Sequence, residues 1–481
     1  MSKLYIFGIG GTGSRVLKSL TMLLASGVKI NADKIVPIII DPDHAAADLT
    51  RTVEMMRTYN SIRNQLSFDS SSQNRFFGTE IDLSIVPNVV MPLDNTQDVK
   101  FDEYIGYSQL DKANKALASI LFSQHNLNAN MNVGFKGNPN IGSVVLNQYQ
   151  HSKIFQDIIA SFEQDDRIFV ISSIFGGTGA SGFPLLVKNL RAISNELSGN
   201  GNVKDAPVGA ITVLPYFTVK PEDASKSEID SSTFIAKAKA ALTYYDKNVS
   251  EPNVLYYVAD NISNQYENVD GGTEQQNDAH IVELISALSI IDFMSIPNDQ
   301  LITINGVPEN RLYKEYGIME DRESVIFENL SEQTKRLIQT HLTQYVLFCK
   351  FLKEQLNDSI KSQQWAKDLQ YDNNFFVSSF YGSIEKFRDD SFTWLEELAS
   401  NKRSFAPFEI EENKGELFSF VKGVKPARVM SLNSNYALFD DRLNSIAHNL
   451  RTKNDKTKNH TFVELFFLAT KKLVEEKLRM H

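Results

Sequence analysis

The chain has 481 residues, of which 42% are hydrophobic and 22% are charged, and its formal net charge is −10. This balance is that of a folded globular protein rather than a disordered one, and the length favours two domains. The acidic charge argues against a general nucleic-acid binder, which needs a basic face to neutralise phosphates. The single cysteine, Cys349, excludes an internal disulfide and a cysteine-based zinc site, and the lack of disulfides fits a reducing compartment.

The sequence indicates a soluble cytoplasmic protein without a transmembrane segment. Residues 1–7 run straight into a glycine-rich turn and lack the charged start and long apolar stretch of a signal peptide. The longest apolar segment, 281–296, is broken by Glu283 and Asp292 and is too short to span a bilayer.

Short apolar runs and helical patterns alternate along the first two-thirds of the chain. Continuous apolar runs, typical of buried parallel strands, occur at 4–7, 35–40, 168–174 and 208–214, and a further strand is indicated at 254–258. Apolar residues at helical spacing fill 16–24 and 183–193. The alternation predicts an α/β fold with a doubly wound sheet and helices on both faces.

The remainder of the chain shows mainly helical patterns. Segment 277–294 predicts a helix that is apolar nearly all round and therefore buried. Beyond residue 297, helical spacing recurs over 326–356, 375–398 and 462–478, which indicates an α-rich C-terminal region. We therefore divide the chain into 1–276, a central connecting helix 277–296, and 297–481.

A first glycine-rich loop follows the first predicted strand and opens a helix. Residues 8–14 read Gly-Ile-Gly-Gly-Thr-Gly-Ser, and Asp41 and Asp43 follow the second strand. Glycines let the backbone approach a ligand, and a helix N-terminus offers unpaired N–H groups to an anion. Alone, this pattern fits NAD, FAD, ATP or GTP, or a turn without any ligand.

A second loop, Phe-Gly-Gly-Thr-Gly at 175–179, again lies between a strand and a helix. A dinucleotide fold needs only one such loop, and a P-loop protein needs one with a lysine. Two lysine-free loops at neighbouring strand ends would instead surround one polyphosphate. This pairing is the most informative feature of the sequence.

With these loops, the chain resembles the tubulin/FtsZ superfamily, and most closely its divergent bacterial tubulin-like members. The second loop is similar to the superfamily's glycine-rich signature loop. Residues 134–142, Gly-Phe-Lys-Gly-Asn-Pro-Asn-Ile-Gly, are similar to the FtsZ loop around the γ-phosphate, and 208–217 to the strand and loop near the ribose. Asn277-Asp278-Ala279 matches the Asn-Asp-Ala that begins the central helix of FtsZ. The resemblance covers about residues 1–297.

The resemblance implies GTP or GDP as ligand, with Mg²⁺, bound by the domain 1–276. The residues it assigns to nucleotide binding are Gly10, Gly11, Thr12, Gly13, Asp41, Gly137, Asn138, Gly176, Gly177, Thr178, Gly179 and Asp278. Asp278 would select guanine, because a carboxylate can accept both the N1 and N2 hydrogens; the alternative is a helix cap. Asp41 and Asp43 are candidate Mg²⁺ ligands, directly or through water, although Asp-Pro-Asp also suits a solvated turn. Lys136 is a candidate γ-phosphate contact. For Arg15, a phosphate contact is the alternative, but we expect an exposed first-turn residue.

Catalysis and assembly are less well supported by the residues. In the superfamily, acidic residues after the central helix complete the nucleotide site of a neighbouring subunit. This chain offers Asp299, Glu309 and Glu315 without the FtsZ spacing, and no β-containing second domain is evident. We expect GTP-dependent head-to-tail self-assembly with GTP hydrolysis, and protein partners that bind the C-terminal region.

Two alternatives remain open on the sequence. A tubulin-like scaffold or switch would bind nucleotide without hydrolysing it. An ATP-dependent adenylating enzyme of the ThiF type would explain the run 8–14 and the Asp-Pro-Asp, but not the loop at 175–179 or Asn277-Asp278-Ala279.

Overall fold

A computed structural model describes residues 2–131, 135, 137–193, 201–219, 231–260, 264–266, 272–274, 276–316, 322–355, 363–410, 417–427, 435–451 and 456–480. The strands within this part of the chain are β1 Lys3–Ile9, β2 Lys34–Ile40, β3 Glu80–Ile81, β4 Arg167–Ser173, β5 Val208–Val213, β6 Phe217–Val219, β7 Val254–Val258, β8 Asn264–Tyr266, β9 Thr303–Ile304, β10 Val307–Pro308, β11 Leu312–Tyr316, β12 Ser324–Val325 and β13 Ser404–Phe405.

Seven of these strands form one sheet in the order β11-β7-β5-β4-β1-β2-β3, and every pairing in it is parallel. The inner strands β1, β4 and β5 are buried along almost their whole length, as expected for strands covered on both faces. Their residues are mainly Ile, Val and Phe, which pack well on a pleated surface.

Helices cover the sheet and build the C-terminal region. They are α1 Gly10–Ala25, α2 Ala47–Arg63, α3 Phe101–Tyr104, α4 Lys112–Leu121, α5 Gln124–Leu127, α6 Pro139–Leu146, α7 Lys153–Ala160, α8 Gly177–Ala192, α9 Asn202–Asp205, α10 Ser231–Asn248, α11 Ile281–Ser295, α12 Glu332–Gln355, α13 Gln364–Asp368, α14 Asn373–Phe376, α15 Ser379–Ser400, α16 Asn435–Arg451 and α17 Lys458–Leu473. None of the helices in the described ranges is long and apolar enough to cross a membrane.

The strand order reverses between β1 and β4. From β1 the chain crosses to β2 on one side, and from β4 it crosses to β5 on the other. Because such crossovers are right-handed, α1 and α8 lie on opposite faces of the sheet. Helix α1 packs against α2 and the central helix α11, and α8 packs against α6.

The α-rich region closes over the face that carries α1 and α2. Helix α15 packs along α2, and the ring of Phe76 contacts Tyr345, Phe348 and Phe467 with centroids 5.1–5.5 Å apart. The predicted α/β fold class, with a parallel sheet, a buried central helix and an α-rich C-terminal region, is confirmed.

Two strands of the seven-stranded sheet, the edge strands β3 and β11, were not predicted. Strand β11 lies beyond the central helix yet joins the sheet beside β7 as its edge strand. Its sequence, Leu-Tyr-Lys-Glu-Tyr, is polar because an edge strand is only half covered. The division of the chain at residues 276 and 296 stays a prediction.

Candidate functional site

The two glycine loops lie side by side at the point where the strand order reverses. Helix α1 begins at Gly10 directly after β1, and α8 begins one residue after Gly176, following the adjacent strand β4. A Cβ atom built on Gly10 would lie 3.6 Å from the Thr178 Cβ and 3.9 Å from the Gly179 nitrogen. The carboxyl edge of a doubly wound sheet at such a reversal is where ligands bind in this architecture.

Gly137 and Asn138, which belong to the segment that resembles the FtsZ γ-phosphate loop, lie against the second glycine loop. A Cβ built on Gly177 would lie 2.9 Å from the backbone nitrogen of Asn138 and 3.1 Å from that of Gly137. Gly137 has a positive φ of 68°, which a side chain would strain. Asn138 caps helix α6 by accepting from the backbone nitrogens of Asn140 and Ile141. Lys136 lies outside the described residues.

Helices α1 and α8 both start without a side-chain cap. The residues at their N-cap positions, Ile9 and Gly176, offer no hydrogen bond to the first turn. Side-chain caps do satisfy the first turns of α4, α7, α15 and α17, through Asp111, Ser152, Ser378 and Thr457. The first-turn N–H groups of α1 and α8 are therefore left for another acceptor, and an anion fits them best.

A lysine that the sequence did not single out adjoins this cluster. The Nζ of Lys237, on α10, donates to the carbonyl oxygen of Gly137 at 2.9 Å. Lys237 places a positive charge beside Gly137, which favours the binding of an anion there. A lone lysine 100 residues from Gly137 in the chain carries no motif, so only the fold reveals it.

The predicted cation ligands Asp41 and Asp43 are both buried, but they differ in their surroundings. Asp41 follows Ile40, which pairs with Ile9, so it lies beside the first glycine loop. The pKa of Asp41 is raised to about 7, mainly by burial and also by the charge of Asp43, against an opposing backbone hydrogen bond from Asp43. Asp43 instead accepts from the backbone nitrogens of Ala45 and Gly272, at 3.2 and 2.7 Å.

A buried phenol faces Asp41. Tyr149 is fully buried, and its hydroxyl has no hydrogen-bond partner among the described residues. Burial, followed by the charge of Asp41, raises the pKa of Tyr149 well above its usual value. Within the described ranges no three His, Cys, Asp or Glu residues gather to hold a metal. Mg²⁺ would fit here through one carboxylate, water and ligand phosphates, the usual mixture for this ion.

The structure contradicts the expectation that Arg15 is exposed. It is not an exposed first-turn residue but is 4% exposed and enclosed by charge. Its guanidinium donates to Glu283 at 2.5 Å, Asp48 at 2.6 Å and the Tyr216 hydroxyl at 2.8 Å. Burial opposes the charge, yet Tyr216, Glu283 and Asp48 together raise the pKa of Arg15 above its usual value. Arg15 therefore connects α1 with α2, with the loop after β5 and with the central helix.

Asp278 does not cap the central helix. Helix α11 starts at Ile281 with His280 as its cap, since His280 Nδ1 accepts from the Val282 nitrogen at 3.1 Å. Asp278 lies two residues upstream and is partly exposed, and its carboxylate accepts no hydrogen bond from any described residue. Burial raises the pKa of Asp278, and so does the nearby charge of Glu397. The helix-cap interpretation is wrong.

The acidic residues suggested for catalysis are not brought together. Asp299 and Glu309 are exposed at the amino edge of the sheet, opposite the glycine loops, and Glu315 is exposed on the edge strand β11. Three contacts fix the amino edge: Arg167 donates to the carbonyl oxygen of Ile296 and to Asn298, and Asn253 donates to the Leu301 carbonyl oxygen.

Cys349 is an inert thiol in this structure. It lies on α12 with 2% of its surface exposed, and burial raises its pKa to about 12. A nucleophilic cysteine needs the opposite, an accessible thiolate with a lowered pKa.

No protein-family model matches the chain, and no curated protein matches it significantly. Among solved structures, the chain is similar to CetZ2 from Haloferax volcanii in a GTPγS-bound protofilament, with 13% identity, a TM-score of 0.30, and coverage of 62% of this chain and 60% of that one. For CetZ from Methanosaeta thermophila strain DSM 6194 the identity is 16%, the TM-score 0.28 and the coverages 61% and 52%. For a mutant of FtsZ from M. jannaschii they are 14%, 0.26, 54% and 46%. These belong to the superfamily that the motifs resemble, and the chain spans 46–60% of their length.

Proposed function

We propose that this protein binds a guanine nucleotide, GTP or GDP, at the carboxyl edge of its central sheet. The observation that carries this proposal is the meeting of two uncapped helix N-termini, at Gly10 and Gly177, with the backbone of Gly137 and Asn138. The backbone N–H groups of residues 10–13 and 177–179 would hold the phosphates, as helix N-termini hold anions. Thr12 and Thr178 would add hydroxyl donors, and Lys237 would add charge beside Gly137.

Asp278 is proposed to select the base. Its carboxylate accepts no hydrogen bond from the described residues, so it is available to a ligand. A carboxylate matches the paired N–H donors of guanine and is repelled by the acceptor nitrogen of adenine. When adenine binds, the partly buried Asp278 carboxylate would stay without a hydrogen bond, and this costs binding free energy. The site would therefore prefer guanine.

Asp41 is proposed to help hold Mg²⁺, which would neutralise phosphate charge when bound. Its position beside the first glycine loop and its raised pKa fit a site that is completed by a cation. Asp43 is the weaker candidate, because two backbone nitrogens already occupy its carboxylate.

We further propose head-to-tail self-assembly. Seven of the exposed apolar side chains fall into two groups, with exposures between 42% and 81%: the α4 patch of Leu117, Ile120 and Leu121, and the hairpin patch of Ile302, Ile304, Val307 and Tyr313. The hairpin patch lies at the amino edge. The segment with α4 leaves the sheet at Val90, beside Ile39, and returns at Gly137, so both its ends lie at the carboxyl edge. Two different patches on opposite edges suit an open, repeating assembly.

A non-hydrolysing scaffold is the second candidate function. It is favoured by the position of Glu315 on β11, away from Asp299 and Glu309, so that these three candidates do not form one acidic cluster in the described part of the chain. In an assembling GTPase of this type, specific activity rises with protein concentration, because the next subunit completes the site. In a scaffold, bound nucleotide would stay intact at every concentration.

Binding of labelled GTP, GDP and ATP to the purified chain with Mg²⁺, together with sedimentation at several protein concentrations, tests the proposal. We expect guanine-selective binding and GTP-dependent pelleting. Guanine binding without pelleting would favour the scaffold. A preference for ATP would overturn the proposed function and favour the adenylating enzyme, although the buried thiol of Cys349 argues against a thioester step.

A further inference from the structure

The two residues that flank Asp278 are held by side chains that are buried, except for the partly exposed Arg51. The backbone nitrogen of Asn277 donates to Asp48, and its carbonyl oxygen accepts from Arg51 at 3.0 Å. The backbone nitrogen of Ala279 donates to Glu397 at 3.0 Å. Asp278 therefore lies between two fixed points, and its own carboxylate is left without a hydrogen bond from the described residues.

The second fixed point belongs to the C-terminal region. Glu397 and Asn401 lie on and just after helix α15, and the Asn401 side-chain nitrogen donates to the Ala279 carbonyl oxygen at 2.6 Å. Both backbone groups of Ala279 are thus bonded to side chains more than 115 residues away in the chain. The position of Ala279 depends on α15 and not on its own strand or helix.

Glu397 also joins the two fixed points. One carboxylate oxygen accepts from Lys18 of α1 at 2.7 Å as well as from Ala279, and the other accepts from Arg51 at 2.5 Å. Arg51 in turn holds Asn277 and pairs with Asp48 at 2.8 Å. The Glu397 side chain is 8% exposed, so these bonds lie in a low-dielectric setting where geometry is tightly fixed.

We infer that Glu397 is a positioning residue for base selection: through Ala279 and Arg51, helix α15 sets where the Asp278 carboxylate points toward the nucleotide base. This inference rests on the proposed guanine-nucleotide function. The charges of Glu397, Arg51 and Lys18 all act on the Asp278 carboxyl, which places them close to it. The C-terminal region then contributes to nucleotide choice without contacting the nucleotide.

A purely structural role for Glu397 makes a different prediction, and the chain offers a matched control. Glu354, on α12, is also 8% exposed and pairs with a lysine, Lys350, at 2.8 Å. Its hydrogen bonds and ion pairs within the described part of the chain go to Lys350 and Tyr436 and not to residues 277–279. If Glu397 only braced the fold, Glu397→Gln and Glu354→Gln would both lower stability and leave nucleotide choice unchanged.

The test compares affinities for GTP and ATP in the full-length wild type, Glu397→Gln, Glu354→Gln and Asn401→Asp, with thermal unfolding of each. We expect Glu397→Gln to reduce the GTP-to-ATP affinity ratio about tenfold, because an amide cannot accept from Lys18, Arg51 and Ala279 together. Asn401→Asp, which replaces the donor to Ala279 with an acceptor, should reduce the ratio in the same direction. Glu354→Gln should keep the wild-type ratio.

Each outcome decides the inference. An unchanged ratio in both Glu397→Gln and Asn401→Asp would overturn it while leaving the proposed function intact, and so would an equal loss of ratio in Glu354→Gln. If Glu397→Gln does not fold, Asn401→Asp carries the comparison alone. A wild type that does not prefer GTP would overturn the proposed function itself, and this result is seen before any variant is made.

Discussion

At the carboxyl edge of the central sheet, backbone N–H groups are left open and charged side chains are buried. At the amino edge, by contrast, the backbone is paired by Arg167 and Asn253, and apolar side chains project. The first arrangement suits a small anionic ligand, which needs donors and a fixed geometry. The second suits a protein surface, which gains stability from apolar area removed from water. One sheet therefore carries two kinds of binding surface, and the two can be disrupted separately.

The largest effect is expected from the buried charges at the carboxyl edge. Arg15→Met would leave the buried Glu283 carboxylate without its cation and leave Asp48 paired with Arg51 alone, and breaking a buried pair costs about 3–5 kcal/mol. The free energy of unfolding, measured by denaturant titration, should fall by this amount.

The matched control for Arg15 is the ion pair between Lys314 on the edge strand β11 and Asp292 on the central helix α11. Its N–O distance is also 2.6 Å, but its lysine side chain is 35% exposed. Lys314→Met should cost less than about 1 kcal/mol, as exposed pairs do. Equal losses for the two variants would show that burial does not distinguish the Arg15 network.

The glycine loops should give the next largest effect. Gly177→Ala places a Cβ 2.9 Å from the Asn138 nitrogen, closer than side chains pack, so the loops must separate. Losing two charge-assisted hydrogen bonds to phosphate corresponds to about a hundredfold weaker nucleotide binding. Titration with labelled GTP measures this directly.

Gly382→Ala serves as its control, because a Cβ there meets nothing within 4 Å and the position lies within helix α15. This variant should bind nucleotide as the wild type does and gain about 0.5–1 kcal/mol of stability. Wild-type affinity in Gly177→Ala would remove the central support for the proposed site.

The sequence predicted those parts of the site whose signal is local. Gly10, Gly177 and Asp41 lie in short runs whose residue types indicate a tight turn at the end of a strand. The structure brings these runs together because β4, β1 and β2 are neighbours in the sheet. The Arg15 network was missed because its partners Asp48 and Glu283 are 33 and 268 residues away. An arginine in the first turn of a helix looks the same in sequence whether it is solvated or enclosed.

The fold shows the same limit. Buried strands such as β4 were predicted because strands covered on both faces consist mainly of apolar residues. The edge strand β11 was not predicted, because it is partly exposed to solvent and contains the charged residues Lys314 and Glu315. The helix start near Asp278 was misplaced for a related reason. His280 caps the helix with a ring nitrogen, and histidine is a rare cap compared with Asn or Asp.

At the amino edge, a charge in the hairpin patch should weaken assembly and spare nucleotide binding. Val307 is 66% exposed, and Val307→Asp would place a carboxylate in the proposed subunit contact. The lost burial of one valine corresponds to an increase of about tenfold or more in the protein concentration needed for pelleting. Val377→Asp, at an 82% exposed position outside both patches, should pellet as the wild type does. Similar behaviour of the two variants would exclude the hairpin patch as a contact.

The smallest effect, and the most specific one for Mg²⁺, concerns Asp41. Burial raises the pKa of Asp41 from 3.8 to about 7, so the carboxyl is protonated below that pH. The bound proton then competes with Mg²⁺ for the carboxylate. The gain in GTP affinity on adding Mg²⁺ should therefore increase severalfold between about pH 6 and about pH 8 in the wild type, and should be flat in Asp41→Asn.

Without nucleotide, the sign for stability is the opposite. Because the pKa of Asp41 is higher in the folded than in the unfolded state, its contribution to the free energy of unfolding is fully present below about pH 4. This contribution is lost as the pH rises through about 7. Asp41→Asn should therefore become more stable relative to the wild type as the pH rises across this interval, in denaturant titrations at several pH values. A parallel pH profile for the two proteins would mean that Asp41 is ionised throughout, and the Mg²⁺ dependence would then have to arise from the phosphates alone.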